Sequence, residues 1–178
     1  MSSRKIGMLV AVVGICSFII SCTATINSRV RPGYVAQTNR MLILLVPHSG
    51  SRMFLGGLAK SLSEKLLKYG VSTSVHEFDD MNPDEKSVIR EKMQTFNPGL
   101  ILQIEQTTKQ TLNGAPSGGL FELVMYEPGD SAYVWKANLQ TYTSGYGGTG
   151  IPSQAAENIM QRFLADRIFG GGNSSPDL

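Results

Sequence analysis

The side chains best placed to do chemistry fall in three groups. Pro47-His48-Ser49-Gly50-Ser51-Arg52 joins an apolar run to an amphipathic one. At such a junction, helix N–H groups, hydroxyls and a guanidinium can hold a small anion or a glycan. His48, Ser49, Ser51 and Arg52 are therefore candidate anion-binding residues; the competing reading is that Ser49 or Ser51 caps the helix. The spacing fits neither GxxxxGK[ST] nor GxGxxG, so no nucleotide is implied. A second group, His76, Glu77, Asp79 and Asp80, has the residue types of a metal site. Adjacent strand residues point to opposite faces, however, and a site needs three or four converging ligands. A solvated acidic loop is the simpler reading, and no metal or other cofactor is expected. There is no GxSxG nucleophile motif and no base with an orienting partner, so no catalytic residue is assigned and an enzyme is not expected.

The third group is aromatic. Tyr133, Trp135, Tyr142 and Tyr146 gather near one predicted strand and the glycine-rich segment after it. Period-two alternation puts Tyr133 and Trp135 on one strand face and Tyr142 on the other. These four are the candidate interaction residues for a protein partner or glycan. The competing reading is that Trp135 packs in the core.

Regular elements must position these groups. Met41–Val46 is an unbroken apolar run ending at Pro47, which predicts a strand covered on both faces. Leu55, Leu58, Leu62, Leu66 and Tyr69 define one helical face, and Gly70 supplies its stop. Residues 71–78 alternate and are rich in β-branched types, predicting a strand. Asn82-Pro83-Asp84-Glu85 begins a helix that Asn97-Pro98-Gly99 ends. Residues 100–105, 120–127 and 132–143 predict three more strands, the last two joined by a Glu127-Pro-Gly-Asp130 turn. Residues 107–118 read as a long polar loop suited to docking. A final helix follows Pro152. The predicted order is βαβαβββα, an α/β (α+β) chain with a single mixed sheet and helices packed on it.

Composition locates the rest. The 178 residues are 42% hydrophobic and 17% charged, which suits one globular domain and excludes a disordered polyelectrolyte. The net charge of +2 comes from 16 basic and 14 acidic residues, and Arg4 and Lys5 account for the excess. With no basic patch beyond that pair, nucleic acid is not an expected partner. Arg4-Lys5 precede the uncharged run Ile6–Ile20, which falls short of the roughly 20 residues a spanning helix needs. A positive region, an apolar region and small residues are the parts of an export signal.

Ile19-Ile20-Ser21-Cys22 resembles the bacterial lipobox. That resemblance implies cleavage before Cys22, lipidation of its thiol and acylation of the new amine. A plain membrane helix, or an ordinary signal cut near Ser21 or Ala24, is the alternative. Cys16 would leave with the signal, so the exported domain would have no thiol for a disulfide or metal site. Thr23 in place of Asp resembles the pattern of lipoproteins sorted to the outer membrane, which implies an anchor on its periplasmic side. In a Gram-positive host the lipid would sit in the plasma membrane. The expected organisation is a signal peptide over 1–21, lipidated Cys22 and a tether to residue 40, a globular domain over 41–169 and a flexible tail over 170–178. Fully extended, such a tether would reach on the order of 60 Å.

A lipobox, a tether and one βαβαβββα domain resemble small envelope lipoproteins with folds similar to the N-terminal domain of the translocation protein TolB. The curli-secretion and Pel-export lipoproteins belong to that broad group. Gly129-Asp-Ser-Ala-Tyr-Val-Trp-Lys-Ala-Asn-Leu139 resembles their recurrent strand of a turn followed by aliphatic, Trp, basic and small residues. The resemblance implies a non-catalytic interaction or assembly component of an envelope export, secretion or wall-synthesis complex. Its expected partners are the membrane, through the lipid, and an envelope protein or further copies of itself. A periplasmic module for a small anion or glycan is the alternative.

Overall fold

The computed structural model describes residues 24–48, 50–112, 115–130, 132–142 and 150–169. Expectations placed on residues 1–21, Cys22, Ser49, Tyr146 and the tail from 170 lie outside the described residues. The elements in chain order are β1 (Ala24–Val30), β2 (Arg40–Val46), α1 (Arg52–Lys68), β3 (Ser72–Glu77), α2 (Glu85–Phe96), β4 (Leu100–Leu112), β5 (Ala115–Tyr126), β6 (Tyr133–Tyr142) and α3 (Gly150–Ala165). The six strands form a single mixed sheet in the order β1-β6-β5-β4-β2-β3. β2 pairs in parallel with β3 and β4, through helical crossovers; β4, β5, β6 and β1 pair antiparallel.

Alternation builds the core. Met41, Ile43 and Leu45 of β2, Leu100, Leu102 and Ile104 of β4, and Leu123 and Met125 of β5 all point to one face and are buried. Leu55, Leu58, Leu62 and Leu66 of α1, with Ala156, Ile159 and Phe163 of α3, close over that face. Each fully buried leucine contributes about 1.5–3 kcal/mol relative to exposure. The stop of α1 works as its glycine suggests. Gly70 takes φ +75°, its N–H donates to the Leu67 carbonyl, and the Val71 N–H reaches back to Leu66 at 3.0 Å. On the second face Leu42 and Ile101 are also buried. There the Arg40 guanidinium stacks 4.8 Å from the Phe96 ring of α2.

Two expectations are corrected. The segment read as a tether carries β1, an edge strand in register with β6 from Ala24↔Thr141 to Val30↔Trp135. The chain beyond it is also held. Arg31 pairs with Asp130 at 3.0 Å, and the Tyr34 hydroxyl donates to Glu127 at 3.0 Å. Burial, and then that carboxylate, push the Tyr34 phenol upward. Ala36 bridges to Phe169. The order is thus ββαβαβββα. The second correction concerns residues 107–112 and 115–118, which lie in strands and not in a loop. They extend β4 and β5 into a hairpin whose last pair is Leu112↔Ala115.

Candidate functional site

The carboxyl ends of β2, β3 and β4 meet the start of α1, and there His48 and Arg52 line one cleft. It measures about 420 Å³ and is walled by Pro47, His48, Gly50, Arg52 and Asp80. A smaller recess of about 170 Å³ adjoins it at His48 and is lined by Gln106, Thr107, Thr108 and Lys109. Gly50 makes the junction possible: its φ is +93°, and a Cβ there would lie 3.3 Å from Lys109 Nζ. Ser51 is buried and occupies the N-cap position of α1 without bonding to the helix amides. Its hydroxyl instead accepts from the His48 N–H at 3.1 Å and donates to the His48 carbonyl at 3.0 Å. It locks the turn that presents His48.

Carboxylates already face the donors of this cleft. Arg52 Nε lies 2.5 Å from Glu77 Oε1, and His48 Nε2 lies 3.7 Å from Glu105 Oε1. Asp80 adds another carboxylate to the wall. An anion entering here must compete with carboxylates already facing its intended donors, which removes most of the attraction that a helix N-terminus offers. These pairs are largely exposed, so they contribute little to stability.

The acidic group resolves into two separate roles. Glu77 turns to Arg52, whereas His76 turns to the other face and meets Glu85, Nε2 to Oε1, at 2.5 Å. Among the described residues, no three His, Cys, Asp or Glu side chains are grouped to hold a metal ion. The His76–Glu85 pair is nearly buried, at 11% and 7% side-chain exposure. The Glu85 carboxylate also accepts from the Asp79 N–H and from Asn82 Nδ2, each at 3.2 Å. The bond from His76 holds Glu85 below the usual carboxylate range; burial opposes this, and the Asp79 N–H assists it. The pair pins the 78–84 loop and the start of α2 to edge strand β3.

Because folding lowers the affinity of Glu85 for a proton, its stabilising contribution is complete above the ordinary glutamate pKa. That contribution is lost as pH falls through the lower folded value. Glu85→Gln should cost about 1–2 kcal/mol at neutral pH. The deficit should shrink on acidification below the usual glutamate range, as urea midpoints of both proteins measured against pH would show. A deficit independent of pH would mean that packing, not charge, is what Glu85 supplies.

The aromatic candidates do not share a surface. Trp135 is 0% exposed, so its assignment as a contact residue is overturned. It points into the core from β6, 4.8 Å from the Phe163 ring in an edge-on arrangement. Its indole N–H donates to Asp166 Oδ2 at 2.7 Å. The register shifts by one residue between Met125↔Trp135 and Tyr126↔Tyr133. That irregularity breaks the alternation that would have put Tyr133 beside Trp135. Tyr133 and Tyr142 are 48% and 47% exposed. They stand at opposite ends of β6, about 30 Å apart at strand rise. The polar cluster around Trp135 had no sequence signature. Asp166 accepts from Trp135 and from the Ser28 hydroxyl, while Arg162 Nε lies 2.5 Å from Ser28 Oγ. It ties β1, β6 and the end of α3 together. A buried tryptophan needs a partner for its N–H, but nothing in the spacing pointed to Asp166.

The molecule is thus a single-sheet α/β protein, with two helices on its core face and, at the strand ends, a cleft whose Arg52 is already paired with Glu77. Among solved structures it is similar in fold to the PelC dodecamer from Paraburkholderia phytofirmans. The TM-score is 0.50 and the identity 14%, over 82% of this chain and 99% of that one. A leucine-to-methionine variant of that dodecamer gives the same TM-score and identity over 77% and 96%. No protein-family model matches the chain, and no curated protein matches it. Among the described residues, no helix is long and apolar enough to cross a membrane.

Proposed function

We propose that this chain is an envelope lipoprotein that is anchored through Cys22 and works as a non-catalytic assembly component of an export, secretion or wall-synthesis complex. Its place is the periplasmic side of the outer membrane, and its partners are the lipid bilayer and either further copies of itself or another envelope protein. The observation that carries the reading is the fold likeness, which spans nearly the whole PelC subunit, a protein found as a dodecamer. The Ile19-Ile20-Ser21-Cys22 sequence supports the anchor. The cleft at His48 and Arg52 favours assembly over the alternative of anion or glycan binding, because Glu77 already pairs with Arg52 and Glu105 faces His48.

Detergent-extracted full-length protein should run on native mass spectrometry as a discrete multimer or with a defined envelope partner. Cells fed labelled fatty acid should label it, and Cys22→Ala should abolish both the label and cleavage. A protein that stays monomeric and alone, or labelling that survives Cys22→Ala, would sink the reading.

A further inference from the structure

The absence of a tether changes how such an anchor would act. Ala24 is the first residue of β1 and is already fixed. It is in register with Thr141, it is only 8% exposed, and its carbonyl accepts from Asn158 Nδ2 of α3 at 2.6 Å. Cys22 precedes it by two residues, a reach of about 7 Å at full extension. The sheet itself is about 24 Å wide, at six strands and 4.8 Å per gap. An acylated Cys22 on so short a link cannot let the domain swing; it brings one end of the sheet to the lipid.

Strand directions identify that end. β1 enters there and β6 finishes there, at Tyr142. Because β6 runs in the same sense as β4, β2 and β3, their carboxyl ends lie at that end too. The β4–β5 hairpin projects at the same end, past the last pairing of β2 with β4 at Val46↔Glu105. Met53 in the first turn of α1 and Met81 after β3 stand there, 91% and 85% exposed. Tyr142 adjoins the anchored strand and is half-exposed. Its phenol suits the boundary between headgroups and acyl chains, where an aromatic body and a polar tip are both satisfied. The opposite end also carries exposed apolar side chains, Leu67, Tyr69 and Leu164 among them. The short link, rather than apolar exposure, is therefore what selects the end.

We infer that this domain seats its Tyr142 end directly on the lipid surface, held flush by Cys22 with no intervening tether. The inference rests on the lipoprotein reading and adds an orientation to it. The opposite end, with Tyr133, is then directed away from the bilayer and open to protein partners.

Tyr142 and Tyr133 make a matched pair for the test, since they are equally exposed on one strand and differ in distance from the anchor. Tyr142→Cys and Tyr133→Cys variants of the full-length lipidated protein would carry an environment-sensitive fluorophore. They would be reconstituted in phosphatidylethanolamine–phosphatidylglycerol vesicles containing headgroup-proximal nitroxide lipid. The label at 142 should lose most of its emission and the label at 133 should keep it. Inserting a flexible Gly-Ser segment of about 20 residues before Ala24, with a root-mean-square reach of about 25 Å, should relieve the quenching at 142 while the protein still floats with the vesicles. Equal quenching at both sites, or quenching unchanged by the insertion, overturns the seating and leaves the lipoprotein reading standing. Absence of labelled fatty acid on Cys22, with no flotation, overturns both.

Discussion

Trp135→Ala should lower the stability of the domain by about 3–5 kcal/mol, the range for emptying a fully buried large aromatic site. The effect has two parts. The cavity opens between β6 and α3, where Phe163 loses its edge-on neighbour. Asp166 loses the indole donor at 2.7 Å, at the point where β1 and α3 are joined. Trp135→Phe separates the parts by keeping most of the ring volume and losing the N–H, and should cost about 1–2 kcal/mol. Tyr142→Ala, on an exposed position of the same strand, should stay within about 0.5 kcal/mol. Denaturant titrations followed by circular dichroism give all three values. In the wild type, the single tryptophan also reports through its own emission, which should shift to the red as the core opens. A Trp135→Ala protein as stable as Tyr142→Ala would contradict the burial of the indole. Any loss of partner binding in Trp135→Ala must therefore be read as loss of folded protein until stability has been matched.

The second large effect is expected at Gly118. Its φ is +146°, and a Cβ there would fall 2.0 Å from the Thr141 carbonyl oxygen of β6 and 3.2 Å from the Tyr142 Cα. Backbone packed this close to β5 leaves little room to relax, so Gly118→Ala should cost on the order of 3 kcal/mol or more, from strain and overpacking together. The damage should spread outward. Among the described residues β6 is the only strand that pairs with β1, so amide protection in hydrogen exchange should fall at Thr141 and Tyr142 and then along Thr25 to Asn27. Gly129→Ala is the control: it too has positive φ, +86°, but no atom within 4 Å of the added Cβ. It should cost only about 1 kcal/mol. Equal losses in the two variants would show that conformational strain alone, without the β5–β6 approach, accounts for Gly118.

Long apolar runs and leucine spacing made much of this fold legible. Met41–Val46 and Leu55 to Leu66 announced a strand and a helix because burial on both faces, or along one stripe, leaves no other arrangement. β1 carries no such signature, because its inward positions include Ser28, whose hydroxyl is satisfied by Arg162 and Asp166. In isolation the segment looks polar and aperiodic. The β4–β5 extension lacks a signature for a related reason: Thr107 to Gln110 are all polar, so the apolar alternation that marks the earlier part of β4 stops at Ile104. Asn113-Gly114 was the available signal. For the candidate cleft, His48 and Arg52 could be placed at the first strand–helix junction from local order alone. The carboxylates that face them, Glu105 and Glu77, could not, because those residues arrive on other strands. Alternation assigned Trp135 to one side of β6 but could not say which side was the core.

The Ser28–Arg162 contact joins residues 134 positions apart, and this imposes an order of events on the nascent chain. Among the described residues, the first strand to be made, β1, has as its sheet partner the last, β6, and α3 fastens it later still. Until then β1 has only its own sequence to hold it, and closing so long a loop is slow. β1 is therefore expected to stay accessible and unpaired until β6 and α3 have been made, and to join the sheet after them.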